Sequence, residues 1–198
     1  MTKIKICGLR REQDIRYANE LMPDYIGFVF LKGKMRYVTF QEAAHLRSLL
    51  DPAIPAVGVF VNEPVENVIR LLQAGTIQIA QLHGQEDEVY VEELRRACDH
   101  CIIRAFAVRS SEDIHRAFDF PADYPLLDNG KGTGETFDWS LFQEQEKPFF
   151  LAGGLSPENV KEAIERFHPY AVDVSSGVET DGYKDYEKMK AFMDAVRR

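Results

Sequence analysis

A thiol, a carboxyl group and two glycine- or serine-rich stretches stand at the ends of apolar runs in this 198-residue chain. Cys7 ends Ile4-Lys5-Ile6-Cys7, and Asp128 ends Tyr124-Pro125-Leu126-Leu127-Asp128. A thiol and a carboxyl group suit paired abstraction and donation of protons. A carboxylate closing an apolar run must be paired, solvated or functional, whereas a lone cysteine also reads as a small core residue. His83, just beyond Ile77 to Leu82, reads either as a proton-carrying group or as a structural histidine. Arg36, beyond Tyr25 to Phe30, would fork onto a carboxylate, or stand as a solvated charge beside Lys32 and Lys34. Gly153-Gly154 and Ser175-Ser176-Gly177 follow two further runs. Small residues let backbone N–H groups approach an anion closely, and a helix start adds its positive dipole end.

The elements that must position these residues follow from the runs themselves. Eight are present: Ile4 to Cys7, Tyr25 to Phe30, Ala56 to Val61, Ile77 to Leu82, Cys101 to Val108, Tyr124 to Asp128, Pro148 to Ala152 and Ala171 to Val174. Helical segments are expected near 11–21, 41–50, 64–74, 86–97, 111–118, 139–145, 157–166 and 184–197. Strands alternating with helices make parallel βαβ units. Eight such units point to an α/β fold, a single (β/α)8 TIM barrel over residues 1–198, although such barrels typically run to about 250 residues. In that fold chemistry belongs where strands end, and the loops after strands seven and eight are the usual phosphate site. Thiol and acid, on strands one and six, would then face each other across the barrel mouth. Lys5 shares the inward face with Cys7 by period two and would favour a thiolate, while burial would raise Asp128. Helix starts are signalled by Asn62-Glu63-Pro64, Ser110-Ser111-Glu112-Asp113 and Ser156-Pro157-Glu158.

The net charge of −8 and the absence of a basic block argue against a nucleic-acid partner. No apolar run approaches the roughly 18 residues of a membrane span, and the chain enters a strand at once, so no signal peptide is expected. Three cysteines, an odd number, point to a reducing, cytoplasmic setting. Cys98 and Cys101 are expected to be structural, ending the fourth helix and opening the fifth strand on the face away from chemistry. Asn129 to Gly134, rich in glycine, is either a lid or a flexible surface loop.

Beyond this reading, the ordered segments Lys5-Ile6-Cys7-Gly8-Leu9, Ile26-Gly27-Phe28-Val29-Phe30, Arg36-Tyr37-Val38, Val57 to Asn62, Gln81-Leu82-His83-Gly84, Leu126-Leu127-Asp128, Gly132-Thr133-Gly134, Phe137-Asp138-Trp139, Leu151 to Leu155 and Val172 to Glu179 span the whole chain. Together they resemble the phosphoribosylanthranilate isomerases of tryptophan biosynthesis. The resemblance implies an Amadori rearrangement of N-(5-phosphoribosyl)anthranilate, with Asp128 as general acid and Cys7 as general base. It also implies that Arg36 holds the anthranilate carboxylate and that Asp173, with His83, meets the sugar. Gly153, Gly154, Ser175, Ser176 and Gly177 would cradle the phosphate. No metal and no organic cofactor is implied, and the partner is a small phosphorylated substrate, bound by a monomer or a homodimer. The chain departs from the family pattern at Arg10-Arg11, where a hydroxyl residue is common and a helix cap is expected to be lost. It departs again in a shortened loop after Asp128. The rival readings are another phosphosugar-isomerase barrel, which would want metal-binding His and Asp residues at several strand ends, and a non-catalytic phosphate-binding regulatory barrel.

Overall fold

The computed structural model describes residues 1–128 and 147–197. Strands β1 (Lys3–Cys7), β2 (Tyr25–Val29), β3 (Ala56–Phe60), β4 (Ile79–Leu82), β5 (Cys101–Ala107), β6 (Tyr124–Asp128), β7 (Phe150–Leu151) and β8 (Ala171–Val174) close into one parallel barrel in chain order. Helices α1 (Glu12–Leu21), α2 (Phe40–Leu49), α3 (Val65–Gln73), α4 (Glu88–Ala97), α5 (Ser111–Asp119), α6 (Val160–Phe167) and α7 (Tyr186–Arg197) lie between and after the strands. After β8 comes a short 3₁₀ turn, Ser176–Val178, and then a hairpin of β9 (Glu179–Thr180) and β10 (Tyr183–Lys184). The helix expected at 139–145 and the glycine loop Asn129 to Gly134 lie outside the described residues.

Strand side chains alternate between two environments. One set of apolar residues, including Val57, Ile79, Ile103, Leu126, Phe150 and Ala171, packs together inside the barrel. The alternate set, including Ile4, Ile6, Ile26, Phe28, Phe60, Leu82, Leu127 and Val172, packs against the helices. A closed parallel barrel covered by helices buries both faces of each strand, which is why the runs are apolar throughout. Tyr25, Tyr124 and Tyr170 gather around Phe150: Tyr124 and Tyr170 stack with centroids 4.8 Å apart, and the Tyr25 and Tyr170 hydroxyls are 3.1 Å apart.

Some helix starts differ from their sequence signals. Ser110 caps α5 as expected, accepting from the Asp113 N–H. Helix α3 instead takes Pro64 as its N-cap with no side-chain cap, because the Asn62 carboxamide oxygen accepts from Gln85 N–H across to the next loop. Residues 157–159 form a turn rather than the first helical turn of α6. Helix α1 lacks a side-chain cap hydrogen bond at Arg11, as expected, but buried Asp14 reaches back to accept from the backbone N–H groups of both Arg10 and Arg11, each at 3.0 Å, and ties down the helix entry. Cys98 ends α4, bonding back to Leu94, and Cys101 opens β5; both thiols are free.

Phe150 occupies one of only two residues in β7 and is almost wholly buried. Phe150→Ala would leave a cavity that the surrounding tyrosine rings cannot fill without losing their mutual packing. A loss of about 3–5 kcal/mol in unfolding free energy is expected, read from the urea midpoint; a loss below about 1 kcal/mol would show that the ring cluster does not support the interior.

Candidate active site

The strand ends surround a cavity of about 500 Å³ lined by Cys7, Arg36, His83, Asp128, Gly153, Gly154, Asp173, Ser175 and Ser176. Cys7, Asp128 and Asp173 are on the inward parity of their strands, and β1 and β6 are separated by β7 and β8 on one side of the ring. Gly177 does not line this cavity. It sits where the two anion-loop candidates touch, since a Cβ there would come 2.0 Å from the Leu155 carbonyl oxygen.

Lys5 and Asp173 are register partners across the β1–β8 seam, both facing inward, and the Lys5 ammonium donates to Asp173 Oδ2 at 2.7 Å. Lys5 is fully buried. Burial works against its charge, but Asp173 and Cys7 more than compensate, so its pKa lies above the ordinary 10.5. Burial pushes the Cys7 thiol up from its ordinary 9.0, and the neighbouring Lys5 and Lys184 cations offset this only in part. The expected cation is therefore present beside Cys7, yet the resting thiol is held protonated because burial outweighs it. Room for the sulfur comes from Gly27, the register partner of Cys7 on β2: a Cβ there would lie 2.7 Å from Cys7 Sγ.

Arg36 does make the carboxylate fork its type suggests, but onto the protein itself. Its Nε and Nη2 donate to the two oxygens of Glu179 at 2.8 and 2.7 Å. Lys184, almost wholly buried, donates to Glu179 Oε1 at 2.6 Å and to the Ser175 carbonyl at 2.9 Å. The Ser175 hydroxyl in turn donates to the Cys7 carbonyl at 2.9 Å. Burial opposes the Glu179 charge, and Arg36 and Lys184 together hold its carboxyl below the ordinary range.

On the opposite wall His83 Nε2 stands 3.5 Å from Asp128 Oδ2, and the His83 ring meets the Gln81 carboxamide at 3.4 Å. Two buried oxygens, Asp173 Oδ1 and Gln81 Oε1, have no hydrogen-bond partner among the described residues. An unpartnered buried oxygen at a cavity wall is suited to a ligand hydroxyl or N–H. Gly153 and Gly154 both have positive φ, 87° and 66°, a backbone that glycine adopts without a Cβ penalty, and both line the cavity.

Gln81, Glu179 and Lys184 were not among the site residues expected from sequence. Gln81 carried one local signal, a polar side chain at inward parity within an apolar strand. Glu179 closes a segment of family resemblance but carried no signal of its role, because its partner Arg36 is 143 residues away in the chain, and Lys184, which pairs with Glu179, read as an ordinary surface charge.

The raised Cys7 thiol has a measurable consequence. Only the thiolate reacts with iodoacetamide, and the thiolate fraction of a group titrating above 9.0 is small at neutral pH. Alkylation of Cys7, followed by peptide mass spectrometry, is expected to accelerate from neutrality to beyond pH 9.0 without levelling off. A rate that saturates near neutral pH would contradict the protonated resting state.

The barrel and its mouth have close counterparts. Residues 4–195 match the model of the N-(5'phosphoribosyl)anthranilate (PRA) isomerase family. The N-(5'-phosphoribosyl)anthranilate isomerase of Thermoanaerobacter sp. strain X514 is 47% identical over 204 residues, covering 100% of this chain and 98% of the relative. The crystal structure of phosphoribosyl anthranilate isomerase from Thermus thermophilus superposes with a TM-score of 0.86 at 33% identity, covering 99% of this chain and 98% of that one. A phosphoribosyl anthranilate isomerase in complex with reduced 1-(o-carboxyphenylamino)-1-deoxyribulose 5-phosphate superposes with a TM-score of 0.84 at 34% identity, covering 100% and 99% of the two chains. On the full-length family match, the shared barrel and this sequence identity, the chain belongs to the N-(5'-phosphoribosyl)anthranilate isomerase family.

Proposed function

We propose that the barrel mouth converts N-(5-phosphoribosyl)anthranilate to 1-(2-carboxyphenylamino)-1-deoxyribulose 5-phosphate, a step of tryptophan biosynthesis, by general acid and base catalysis. The observation that carries this reading is the placement of one thiol and one carboxyl group on separate walls of a cavity that also offers cationic and backbone donors for two anions. A regulatory phosphate-binding barrel would need neither proton-transfer group, and no set of three or more metal-ligating side chains is gathered among the described residues for a metal-dependent sugar isomerase.

In this mechanism Asp128 donates its proton to the ribose ring oxygen. The C1–O bond breaks as the anilino nitrogen lone pair forms the C1=N bond of an iminium. Cys7, in the ionised fraction that Lys5 and Lys184 favour, then takes the proton from sugar C2. The C–H electron pair forms a C1=C2 double bond, and the iminium electrons return to nitrogen, giving an enolamine. Proton transfer from the C2 hydroxyl and protonation at C1 complete the ketose. Lys5 is placed to stabilise the thiolate at the moment it forms, being ion-paired to Asp173 and close enough to favour a charged sulfur. Asp173 Oδ1 and Gln81 Oε1 are placed to accept from sugar hydroxyls, and His83 stands beside the acid. The phosphate lies against Gly153, Gly154, Ser175 and Ser176, with the Ser176 N–H at the start of the 3₁₀ turn as a donor. The ring carboxylate meets Arg36. The same reading places the enzyme in the cytoplasm, working as a monomer or a homodimer.

The direct test is loss of substrate fluorescence when purified protein meets phosphoribosylanthranilate; no loss at micromolar enzyme would sink the assignment. Two variants test the roles. Asp128→Asn keeps the shape but donates no carboxylic proton, so turnover should fall by about 10²–10⁴ with little change in affinity. Cys7→Ser should abolish measurable turnover while leaving the thermal melting curve cooperative, and a fully active Cys7→Ser enzyme would reduce Cys7 to a core residue.

A further inference from the structure

Arg36 has five N–H groups in a rigid plane. Glu179 occupies the side-on pair, Nε and one hydrogen of Nη2. Among the described residues nothing engages Nη1, so the end-on fork of Nη1 and Nη2 stays available at the cavity wall. Glu179 itself has little freedom. Its side chain is 6% exposed, and Lys184, its register partner across the β9–β10 hairpin, holds Oε1 from the other side. The hairpin is in turn clamped to the start of α1. The Tyr183 ring lies near both guanidiniums of Arg10 and Arg11, at 4.5 and 4.4 Å, and those side chains donate to the carbonyls of Gly182 and Lys184.

We propose that Glu179, held by Lys184, is a positioning residue that orients the Arg36 guanidinium and so sets the enzyme's selectivity for a carboxylate on the aromatic ring of its substrate. The proposal rests on the reading of Arg36 as the carboxylate ligand. An arginine fixed in its binding rotamer loses little freedom when it engages a ligand, and its planar fork discriminates by direction as well as by charge. The charge balance makes the proposal distinguishable from simple electrostatics. Two cations against one carboxylate leave this cluster with a net positive charge. Removing the Glu179 charge makes the cluster more positive, which by electrostatics alone would tighten the binding of any anion. Positioning requires the opposite for a ring carboxylate.

The experiment compares the reduced aminodeoxyribitol phosphate carrying a 2-carboxyphenyl group with its phenyl counterpart, as inhibitors of the wild-type enzyme and of Glu179→Gln. Wild type should prefer the carboxylated inhibitor. In Glu179→Gln that preference should fall by about ten-fold or more, the size expected when charged hydrogen bonds lose their alignment. KM for phosphoribosylanthranilate should rise in parallel, kcat should change little, and affinity for ribose 5-phosphate should hold or improve. On an Arg36→Met background, Glu179→Gln should add nothing to the loss of preference. If Glu179→Gln fails to fold because Lys184 is left buried without its partner, the double variant Glu179→Gln/Lys184→Met removes both charges, and its preference ratio is read instead. A wild-type preference that survives in these variants overturns the positioning role and leaves Arg36 as ligand. A wild type with no preference between the two inhibitors overturns the proposal together with the reading of Arg36 on which it rests.

Discussion

The Lys5–Asp173 ion pair governs how the mouth of this barrel is built. It spans the β1–β8 seam, where the last strand meets the first and the sheet closes. Both partners face inward from a parallel pair in direct register, and Lys5 is fully shielded from water. A charge so placed cannot stand alone, since breaking a buried pair by removing one partner typically costs about 3–5 kcal/mol. The pair therefore fixes the relative register of β1 and β8. Two residues further along the same inward faces lie Cys7 on one strand and Ser175 just beyond the other, already joined by the bond from the Ser175 hydroxyl to the Cys7 carbonyl. Asp173 lines the cavity, and its Oδ1 has no hydrogen-bond partner among the described residues. One interaction thus joins closure of the fold to the setting of the thiol, and in the proposed reaction it also serves recognition of the sugar.

A second cluster repeats the pattern at the other end of the site. Arg36, Glu179 and Lys184 come from the loop after β2 and from the hairpin after β8, and they meet only because those two segments converge beside the β1 terminus. An acidic protein of net charge −8 needs local donors to accept an anionic substrate, and Arg36 and the glycine- and serine-rich loops line this cavity. In the proposed reaction the two clusters divide the labour, Lys5 with Asp173 beside the reacting carbons and Arg36 with Glu179 at the aromatic end. Ser175 touches both clusters: its hydroxyl reaches the Cys7 carbonyl, and its own carbonyl accepts from Lys184.

Much of this was legible in the sequence for a physical reason. A barrel strand buried on both faces is apolar along its length, so eight runs of four to eight residues mark the strands, and a polar residue such as Asp128 or Asp173 within one is conspicuous. Strand ends then locate the chemistry. Local helix signals were less dependable. Ser110 capped its helix, while Asn62 was drawn away by Gln85 and left Pro64 to open α3. The hydroxyl cap was lost at Arg10-Arg11 as expected, while Asp14, four residues on from Arg10, tied down the N–H groups that precede the helix. Proximity of Lys5 to Cys7 followed from period two, but the balance between its field and burial depended on how tightly the seam is packed, which no local pattern reports. The role of Glu179 was hidden for a related reason, since its pairing with Arg36 spans 143 residues, and that of Lys184 followed only once Glu179 was placed.

A crystal structure of this enzyme with reduced 1-(2-carboxyphenylamino)-1-deoxyribulose 5-phosphate would show whether one cavity holds both anionic ends of a single substrate with its reacting carbons between Cys7 and Asp128. Phosphate oxygens should lie on the backbone N–H groups of Gly153, Gly154 and Ser176. The ring carboxylate should lie on Nη1 and Nη2 of Arg36 with the Glu179 fork intact, and sugar C2 against Cys7 Sγ. A ligand bound in the reverse direction, or one whose carboxylate displaces Glu179 from Arg36 and leaves C2 remote from the thiol, would contradict this arrangement.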